Sequence, residues 1–224
     1  MQYGQVIEGI FLERINRFVA KIRVNGEEVL CHVKNTGRCK ELLIPGTRVW
    51  LLQESNPNRK TAYSLITVQK GDCLINLDSQ APNQVAYEWL GKKVKPDILL
   101  RERRYGNSRF DLYLEKAGRK CYIEVKGVTL EENGVALFPD APTLRGVKHV
   151  EELVACRKEG YDACILFVIQ MKGVSQFRAN VKTQKAFGDA LKRAERAGVH
   201  IVAYDCVVTE NSLKIDCPIK VELV

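Results

Sequence analysis

The hydrophobic pattern of the first 79 residues predicts short strands separated by turn residues. Apolar runs such as VIEGIFLERI, FVAKIRV and RVWLLQE are broken at Asn25–Gly26, Pro45–Gly46 and Gly71–Asp72. This spacing indicates a small antiparallel barrel, for which a five-stranded OB-like barrel is the obvious candidate. We therefore expect an OB-like, nucleic-acid-binding domain over residues 1–80.

From about Pro82 the pattern changes, and helix and strand signals follow one another. A helix opened by proline, PNQVAYEWLGKK, precedes three strands, DILLRERRY, SRFDLYLEK and KCYIEVKGV. An amphipathic helix (TLRGVKHVEELVACRKEG), a buried strand (ACILFVIQ), a capped helix (TQKAFGDALKRAERAG) and a buried strand (VHIVAYDCVV) come next. This order predicts an α/β domain over residues 81–224, with a mixed sheet flanked by helices.

The strands around Ala117–Gly118 carry the strongest local signal. A two-residue loop there pairs Lys116 with Arg119, and counting outward places Asp111 opposite Glu124. Because side chains alternate, Lys126 shares the face of both carboxylates. The opposite face receives a set of apolar side chains: Phe110, Leu112, Leu114, Cys121, Ile123 and Val125. Two carboxylates and a lysine are thus predicted to converge.

Carboxylates that face each other across a ladder repel unless a cation or a proton lies between them. Mg²⁺, or Mn²⁺, fits because it takes one or two carboxylates together with waters and a substrate phosphate. We therefore predict that Asp111 and Glu124 bind the metal, and that Lys126 orients or helps deprotonate the attacking water. The alternative is that all three are ordinary solvent-side residues of a half-exposed hairpin.

Further candidates surround this hairpin. Additional acids are Glu88, on the preceding helix, and Glu102, in RERRY; the alternative for both is a surface ion pair. The literal Pro96–Asp97 pair lies in the preceding strand and lacks the hairpin geometry, so Asp111 is preferred. On the amphipathic helix, Arg145, Lys148 and His149 recur at helical spacings. This places Arg145 and Lys148 on backbone phosphates and His149 near the metal-bound water. A solvated helix face is the alternative.

The strand ACILFVIQ ends at Gln170, which would point into the same site. A glutamine that merely caps the end of a ladder is the alternative.

The net charge of +8 and the pI near 9.1 favour a polyanionic partner, most of all DNA. Basic residues are dense from Lys92 to Arg109, and the loop NTGRCK contains Gly37, which would let a phosphate approach the backbone. Ordinary basic loops are the alternative. The predicted nucleic-acid contacts are Asn35, Arg38, Lys40, Arg101, Arg103, Arg104, Arg109 and Lys148.

The first residues, MQYGQVIEGIFLERINRF, do not have the cationic-then-apolar pattern of a signal peptide, and no apolar run is long enough to cross a bilayer. We therefore expect a cytoplasmic protein without a membrane partner. The eight cysteines show no C-x-x-C pair and no histidine at zinc-ligand spacing, which argues against a zinc site.

Asp111 followed by Glu124-Val125-Lys126, in a helix–strand–strand–strand–helix–strand setting, resembles the PD-(D/E)xK nuclease superfamily. The runs HVKNTGRCKELLIPGTRVWL, YGNSRFDLYLE, YIEVKGVTL, FPDAPTLRGVKHVEEL, ILFVIQ and GVHIVAYD resemble the sugar fermentation stimulation protein family over nearly the whole length. That resemblance implies an OB-like domain, a nuclease-like domain and DNA binding without marked sequence preference. It also implies a regulatory link to sugar (maltose) metabolism in bacteria.

Three functions stay open at this point. The chain is either a Mg²⁺-dependent nuclease, or a non-catalytic DNA-binding regulator that keeps the nuclease fold, or a metal-dependent enzyme acting on a small phosphate compound. The enzyme acting on a small phosphate compound fits the basic charge least, because a small substrate does not need cations spread over the chain. A homodimer is compatible with a nuclease, but no dimer interface can be read from the sequence.

Overall fold

The first part of the chain forms a closed β-barrel. The structure is a computed structural model and describes residues 1–35, 37–56, 58–106 and 108–223. The sheet of the barrel has the order β3-β2-β1-β4-β5-β6, and an additional pairing between β3 and β5 closes strands β1 to β5 into a barrel. The predicted OB-like barrel is confirmed. The strands are β1 (Val6–Asn16), β2 (Val19–Val24), β3 (Glu27–Val33), β4 (Arg48–Gln53), β5 (Tyr63–Lys70) and β6 (Cys73–Asn76).

A nine-stranded mixed sheet with three helices forms the second part. Its strand order is β10-β11-β13-β15-β14-β12-β9-β8-β7, and β9 pairs parallel with β12 but antiparallel with β8. The elements are α1 (Ala81–Lys93), β7 (Ile98–Tyr105), β8 (Ser108–Lys116), β9 (Arg119–Val128), β10 (Leu130–Glu132), β11 (Val135–Phe138), α2 (Leu144–Lys158), β12 (Asp162–Ile169), β13 (Gln176–Ala179), α3 (Val181–Arg196), β14 (His200–Thr209) and β15 (Ser212–Glu222).

The order of the main helices and strands follows the prediction, whereas β10, β11 and β13 were not predicted. These strands have only three or four residues, too few for an alternating pattern to stand out. Helix α3 begins at the N-cap Asn180, whose side chain accepts a hydrogen bond from the Thr183 backbone N–H. None of the helices in the described residues is both long and apolar enough to span a bilayer. All eight cysteines are free thiols.

The predicted register of the β8–β9 hairpin is confirmed from Lys116–Arg119 to Leu112–Ile123. The regular pairing stops there, one pair before Asp111 and Glu124. On the other side of β8, the pairing with β7 skips Glu102 and Asp111, and Glu102 has a φ of 56°. Because the strands are irregular at this level, strict alternation of side chains is lost at Asp111.

Phe110 shows the consequence of this irregularity. Alternation predicts it on the same face as Leu112, but its ring lies 5.6 Å from the Tyr122 ring and 6.5 Å from the His149 ring, on the α2 side. Leu112 instead packs with Ile123 and Val125 against α1. That part of the prediction was wrong, because the pattern assumed an unbroken strand.

Both faces of the sheet are covered around the hairpin. Helix α1 packs Val85 and Leu90 against one face, and α2 packs Val150 and Leu153 against the other. The hairpin is therefore not half exposed, and a charged residue on its central strand β9 must find partners inside the protein.

Gln170, at the end of β12, joins the barrel to the sheet. It is 1% exposed, and its Nε2 donates to Asn76 O (3.0 Å), Asn76 Oδ1 (3.0 Å) and Asp78 O (3.1 Å). Its backbone O accepts from the Asn76 N–H at 3.0 Å. This cluster fixes the end of β6, where the chain passes through residues 77–80 into α1.

We expect Gln170→Ala to lower the free energy of unfolding by about 2 kcal/mol, because it leaves buried carbonyl groups without donors. Urea denaturation measures this. Gln53→Ala, at an exposed position on β4, is the control and should change stability by less than about 0.5 kcal/mol. Equal stability of the two variants would contradict the role assigned to Gln170.

Candidate active site

Glu124 is the most deeply enclosed acid of the predicted set. It lies on β9 between β8 and β12 and is 2% exposed. Its Oε1 accepts a hydrogen bond from Lys126 Nζ at 2.5 Å and also contacts His149 Nδ1 on α2. Lys126, whose side chain is 17% exposed, provides the adjacent positive charge. The sheet and α2 thus jointly position one carboxylate oxygen.

His149 connects Glu124 to the protein surface. Arg145 Nε donates to His149 Nε2 at 3.3 Å, which leaves Nδ1 to carry the ring proton towards Glu124. Arg145 is exposed, one helical turn before the buried His149. Thr143 caps this end of α2 by accepting from the Gly146 N–H at 2.9 Å. The capped first turns of α2 therefore hold His149 beside Glu124. Arg145, which was predicted to contact a phosphate, instead binds His149.

Asp111 approaches the same place from β8. Its Oδ1 accepts from Asn83 Nδ2 at 2.8 Å, and its Oδ2 accepts from the Val125 N–H at 2.9 Å. The second bond replaces a regular ladder contact, since the backbone pairing has ended at Leu112. Asp111 thus lies near enough to Glu124 and Lys126 for their charges to act on its carboxyl group, but the predicted ladder pairing of Asp111 with Glu124 is absent.

The two carboxyl groups have opposite electrostatic shifts. For Asp111, burial and then the negative charge of Glu124 raise the pKa above its usual range, against the hydrogen bond from the Val125 N–H. For Glu124, burial alone would raise the pKa, but His149 and Lys126 outweigh it and hold the pKa below its usual range. Glu124 is thus stabilised as a carboxylate. Among the described residues no cation forms an ion pair with Asp111, and the more distant charge of Lys126 only partly offsets the rise of its pKa.

The arrangement fits a hard divalent cation. Glu124 Oε2 is buried and has no hydrogen-bond partner among the described residues. A buried carboxylate oxygen without a donor is unfavourable, and so is a second carboxylate nearby. A cation that prefers oxygen ligands would relieve both, with Asp111 and Glu124 as its protein ligands.

The other two candidate acids are engaged elsewhere. Glu88 Oε2 forms an ion pair with the amino group of Met1 at 2.8 Å, and Glu102 pairs with Arg109 at 3.2 Å on the surface. Both line a cleft of about 610 Å³ that also includes Asn83, the partner of Asp111. Asp97 accepts from the Ala117 N–H at 2.9 Å and so stabilises the hairpin turn.

Gln170 and Lys148 also have their own partners. The Gln170 side-chain amide donates to the end of β6. Its Oε1 lies so close to Gly127 that a Cβ added to this glycine would be 2.5 Å from that oxygen. Lys148 is 3.6 Å from Glu152 Oε1, which also accepts from Ser108 Oγ at 2.6 Å. Neither contacts Glu124 directly.

The arginines of β7 do not form one stripe. Arg101 stacks over the Tyr87 ring of α1 at 4.1 Å, whereas Arg103 lies 5.5 Å from the Tyr113 ring, which belongs to the core on the α2 side. Arg104 is exposed on the same strand. Because β7 is an edge strand, these cations flank the hairpin on both faces of the sheet.

The predicted loop from Asn35 to Lys40 lies at the end of β3. Arg38 and Lys40 are exposed, and Asn35 Oδ1 accepts from the Gly37 N–H at 2.7 Å. Gly37 does not leave an open place for a phosphate, because an added Cβ would lie 2.4 Å from Asp140 Oδ2. That expectation is corrected: the close approach at Gly37 is made by a carboxylate of the second domain.

Sequence reasoning missed two residues that shape the site. Arg14 donates to the backbone carbonyls of Arg17, Asn35, Gly37 and Arg38 at 2.7–2.8 Å, and so holds the loop. Within β1 it reads as an ordinary solvent-side cation. Asn83 could have been suspected, since it is a polar residue beside the buried positions Pro82 and Val85 of α1.

The fold defines a two-part protein, an OB-like barrel followed by an α/β domain with a mixed sheet and three helices. Two family models match it: "SfsA N-terminal OB domain" over residues 12–77, and "Sugar fermentation stimulation protein RE domain" over residues 80–212. The chain belongs to the sugar fermentation stimulation protein family, as the sequence predicted.

Relatives and a solved structure agree with this assignment. The sugar fermentation stimulation protein homolog of Clostridium beijerinckii is 56% identical, covering 96% of both chains. That of Desulfitobacterium hafniense is 54% identical, covering 100% of this chain and 99% of the relative. The structure of Pyrococcus furiosus SfsA in complex with Ca²⁺ has a TM-score of 0.89 and 28% identity, covering 99% and 98% of the two chains.

We expect Asp111→Asn to stabilise the metal-free protein at pH 7 by about 1 kcal/mol. The folded-state pKa of Asp111 is raised, so its stabilising contribution is present below the unfolded value and is lost as the pH rises through the folded value. Asparagine keeps an acceptor for the Val125 N–H without this loss. Thermal unfolding in EDTA measures the difference, which should shrink towards the ordinary aspartate pKa of about 3.9.

Asp162→Asn is the matched control. Burial would raise the pKa of Asp162, but Arg119 and Arg157 outweigh it and hold the pKa low, so this variant should be less stable than the wild type at pH 7. A loss of stability in Asp111→Asn as well would show that the carboxylate at position 111 is not electrostatically unfavourable.

Proposed function

We propose that this protein binds DNA without marked sequence specificity and cleaves phosphodiester bonds with Mg²⁺ or Mn²⁺ at Asp111, Glu124 and Lys126. The observation that carries the proposal is the buried Glu124 carboxylate, whose Oε2 has no partner among the described residues. Its other oxygen is held by Lys126 and His149. A carboxylate held in this way is preorganised to bind a cation with its second oxygen.

The metal part of the proposal has support from a relative. The Pyrococcus furiosus SfsA structure, which shares the fold at a TM-score of 0.89, is a complex with Ca²⁺. Ca²⁺ and Mg²⁺ both prefer oxygen ligands, and carboxylates are their usual protein donors. In this chain Asp111 and Glu124 would hold the metal, which when bound supplies Lewis acidity and lowers the pKa of a coordinated water.

The residues of this chain then have separate roles. The water oxygen loses a proton to the solvent and attacks phosphorus. The bond from phosphorus to one ester oxygen breaks, and that oxygen leaves with the electron pair and takes a proton from the solvent. Lys126, held at 2.5 Å from Glu124 Oε1, orients the water and offsets negative charge on the reacting phosphate. His149 positions Glu124, and Arg145 holds His149 in the required tautomer.

A non-catalytic DNA-binding regulator is the second candidate, and it includes the link to sugar metabolism that the family name suggests. One observation favours it: both oxygens of Asp111 already accept hydrogen bonds from protein donors, Asn83 and the Val125 N–H. A carboxylate satisfied in this way is also consistent with a purely structural role in a retained nuclease fold.

Cleavage of labelled single- and double-stranded DNA and RNA separates these functions. We expect activity that needs Mg²⁺ or Mn²⁺ and that falls at least ~100-fold in Asp111→Ala and in Lys126→Ala. Asp97→Asn, which alters the literal Pro-Asp sequence but lies at the hairpin turn, should retain activity. DNA binding without cleavage of any substrate, unchanged in both site variants, would refute the nuclease and leave the regulator.

The cations of the Asn35–Lys40 loop should contribute to binding without sequence preference. We expect Arg38→Gln and Lys40→Gln each to weaken binding to all sequences alike, and to reduce the slope of log affinity against log salt by about 0.7 to 0.9. Titrations at several salt concentrations measure the slope. Arg196→Gln, an exposed arginine on α3, is the control, and an equal effect there would mean that the charge acts only through the overall field.

A further inference from the structure

The turn between β1 and β2 presents an exposed aromatic ring. Phe18 is 50% exposed. The turn is fixed by Asn16, whose Oδ1 accepts from the backbone N–H groups of Phe18 (2.9 Å) and Val19 (3.1 Å). The ring is therefore displayed on an ordered turn, at the connection between the first two strands that OB-folds use for oligonucleotides.

This turn is joined to the basic loop that begins at Asn35. The Arg14 guanidinium donates to Arg17 O and Asn35 O, both at 2.7 Å, and so bridges the turn and the loop. The backbone O of Phe18 accepts from the Val33 N–H at 2.8 Å, immediately before the loop. The aromatic turn and the loop thus form one continuous surface.

The same loop reaches the candidate active site. A cavity of about 170 Å³ is lined by Asn35 and Gly37 from the barrel and by Gly127, Thr129 and Asp140 from the second domain. Gly127 directly follows Lys126 in β9. The cavity therefore brings the loop next to the backbone of the residue that follows Lys126.

The charge of this surface matches a phosphate backbone. Arg17, Arg38 and Lys40 are exposed, and the sequence has no acidic residue from Arg14 to Gly26 or from Val33 to Lys40. A basic groove combined with an exposed aromatic ring is the arrangement that holds single strands, because bases stack on the ring while cations follow the phosphates. In a duplex the faces of the bases are already stacked and cannot reach Phe18.

We propose that the substrate of this protein is single-stranded DNA, or an unpaired DNA end, and that one of its bases stacks on Phe18. This inference deepens the proposed function, since it names the form of DNA that reaches the Lys126 site. A single exposed aromatic residue is common on protein surfaces. The ordered turn, the exposed cations of the turn and the loop, and the connection to Gly127 distinguish this one.

Fluorescence anisotropy of the full chain in EDTA, where cleavage plays no part, tests the inference. The probes are a labelled oligo(dT) single strand of about 16 nucleotides and a blunt duplex of the same length. We expect the single strand to bind more tightly than the duplex. Phe18→Ala should weaken single-strand binding roughly 5- to 150-fold, the effect of losing one stacked base, without changing duplex binding.

Two further variants serve as controls for the Phe18→Ala substitution. Phe18→Trp retains a stacking surface and should restore single-strand binding. Leu30→Ala removes a side chain of matching exposure, 51%, on β3 of the same barrel, and should have no effect. A 2-aminopurine base in the strand gives a second readout, because stacking on Phe18 quenches its fluorescence and Phe18→Ala should abolish this change.

Three outcomes would overturn the inference. The first two are tighter binding of the duplex by the wild type, and equal single-strand affinity of the wild type and Phe18→Ala. The third is light scattering that shows a dimer for the wild type and a monomer for Phe18→Ala, because the turn would then be a contact between two copies of the chain. Failure of the nuclease proposal gives a different result. In that case no substrate is cleaved with Mg²⁺ or Mn²⁺, while single-strand binding in EDTA still depends on Phe18.

Discussion

The burial of the Glu124 carboxylate is the constraint on which the site depends. An ionised acid on a central strand, covered by helices on both faces of the sheet, is tolerated only when charged or polar groups surround it. Lys126 supplies the charge from the same strand, and His149 supplies a ring N–H from α2. The packing of α2 on the sheet and the ionisation of Glu124 therefore require each other. Arg145 extends the same set of contacts to the surface.

The contact between the two domains lies next to the candidate active site. Gln170 binds the end of β6, and its Oε1 lies beside Gly127, the residue that follows Lys126. The Asn35–Lys40 loop meets the second domain at Asp140, where only a glycine at position 37 leaves enough space. Since barrel and sheet touch at both points, the basic loop has a defined position relative to the candidate active site.

Whether the sequence predicts a contact depends on how many positions separate the two contacting residues. The register from Lys116–Arg119 to Leu112–Ile123 is set by a tight turn and by alternation, so it could be derived from a few neighbouring residues. The contact of Glu124 with His149 spans 25 positions and depends on how α2 packs, which no local pattern contains. The irregularity at Asp111 and the approach of Asp140 to Gly37 were unpredictable for the same reason. Short strands such as β11 exist because neighbouring strands hold them.

The family and the fold could be predicted because several segments along the chain resemble one family in the same order. The proposed chemistry depends on only a few side chains. The acid, acid and lysine set was visible in the sequence because these residues lie on one hairpin. Arg14 was not, because a cation that binds carbonyl oxygens looks the same in a sequence as one that faces water.

The way in which Arg14 is held has a consequence for how the protein responds to its surroundings. Its guanidinium binds four backbone carbonyls rather than a carboxylate. Guanidinium stays protonated throughout the physiological range, and carbonyls do not titrate. The bonds that Arg14 makes to the loop are therefore independent of acidity, whereas Asp111 and Glu124 are groups of the candidate active site that acid can alter. A change of pH can therefore alter the charge of the candidate active site while the bonds from Arg14 to the loop stay in place.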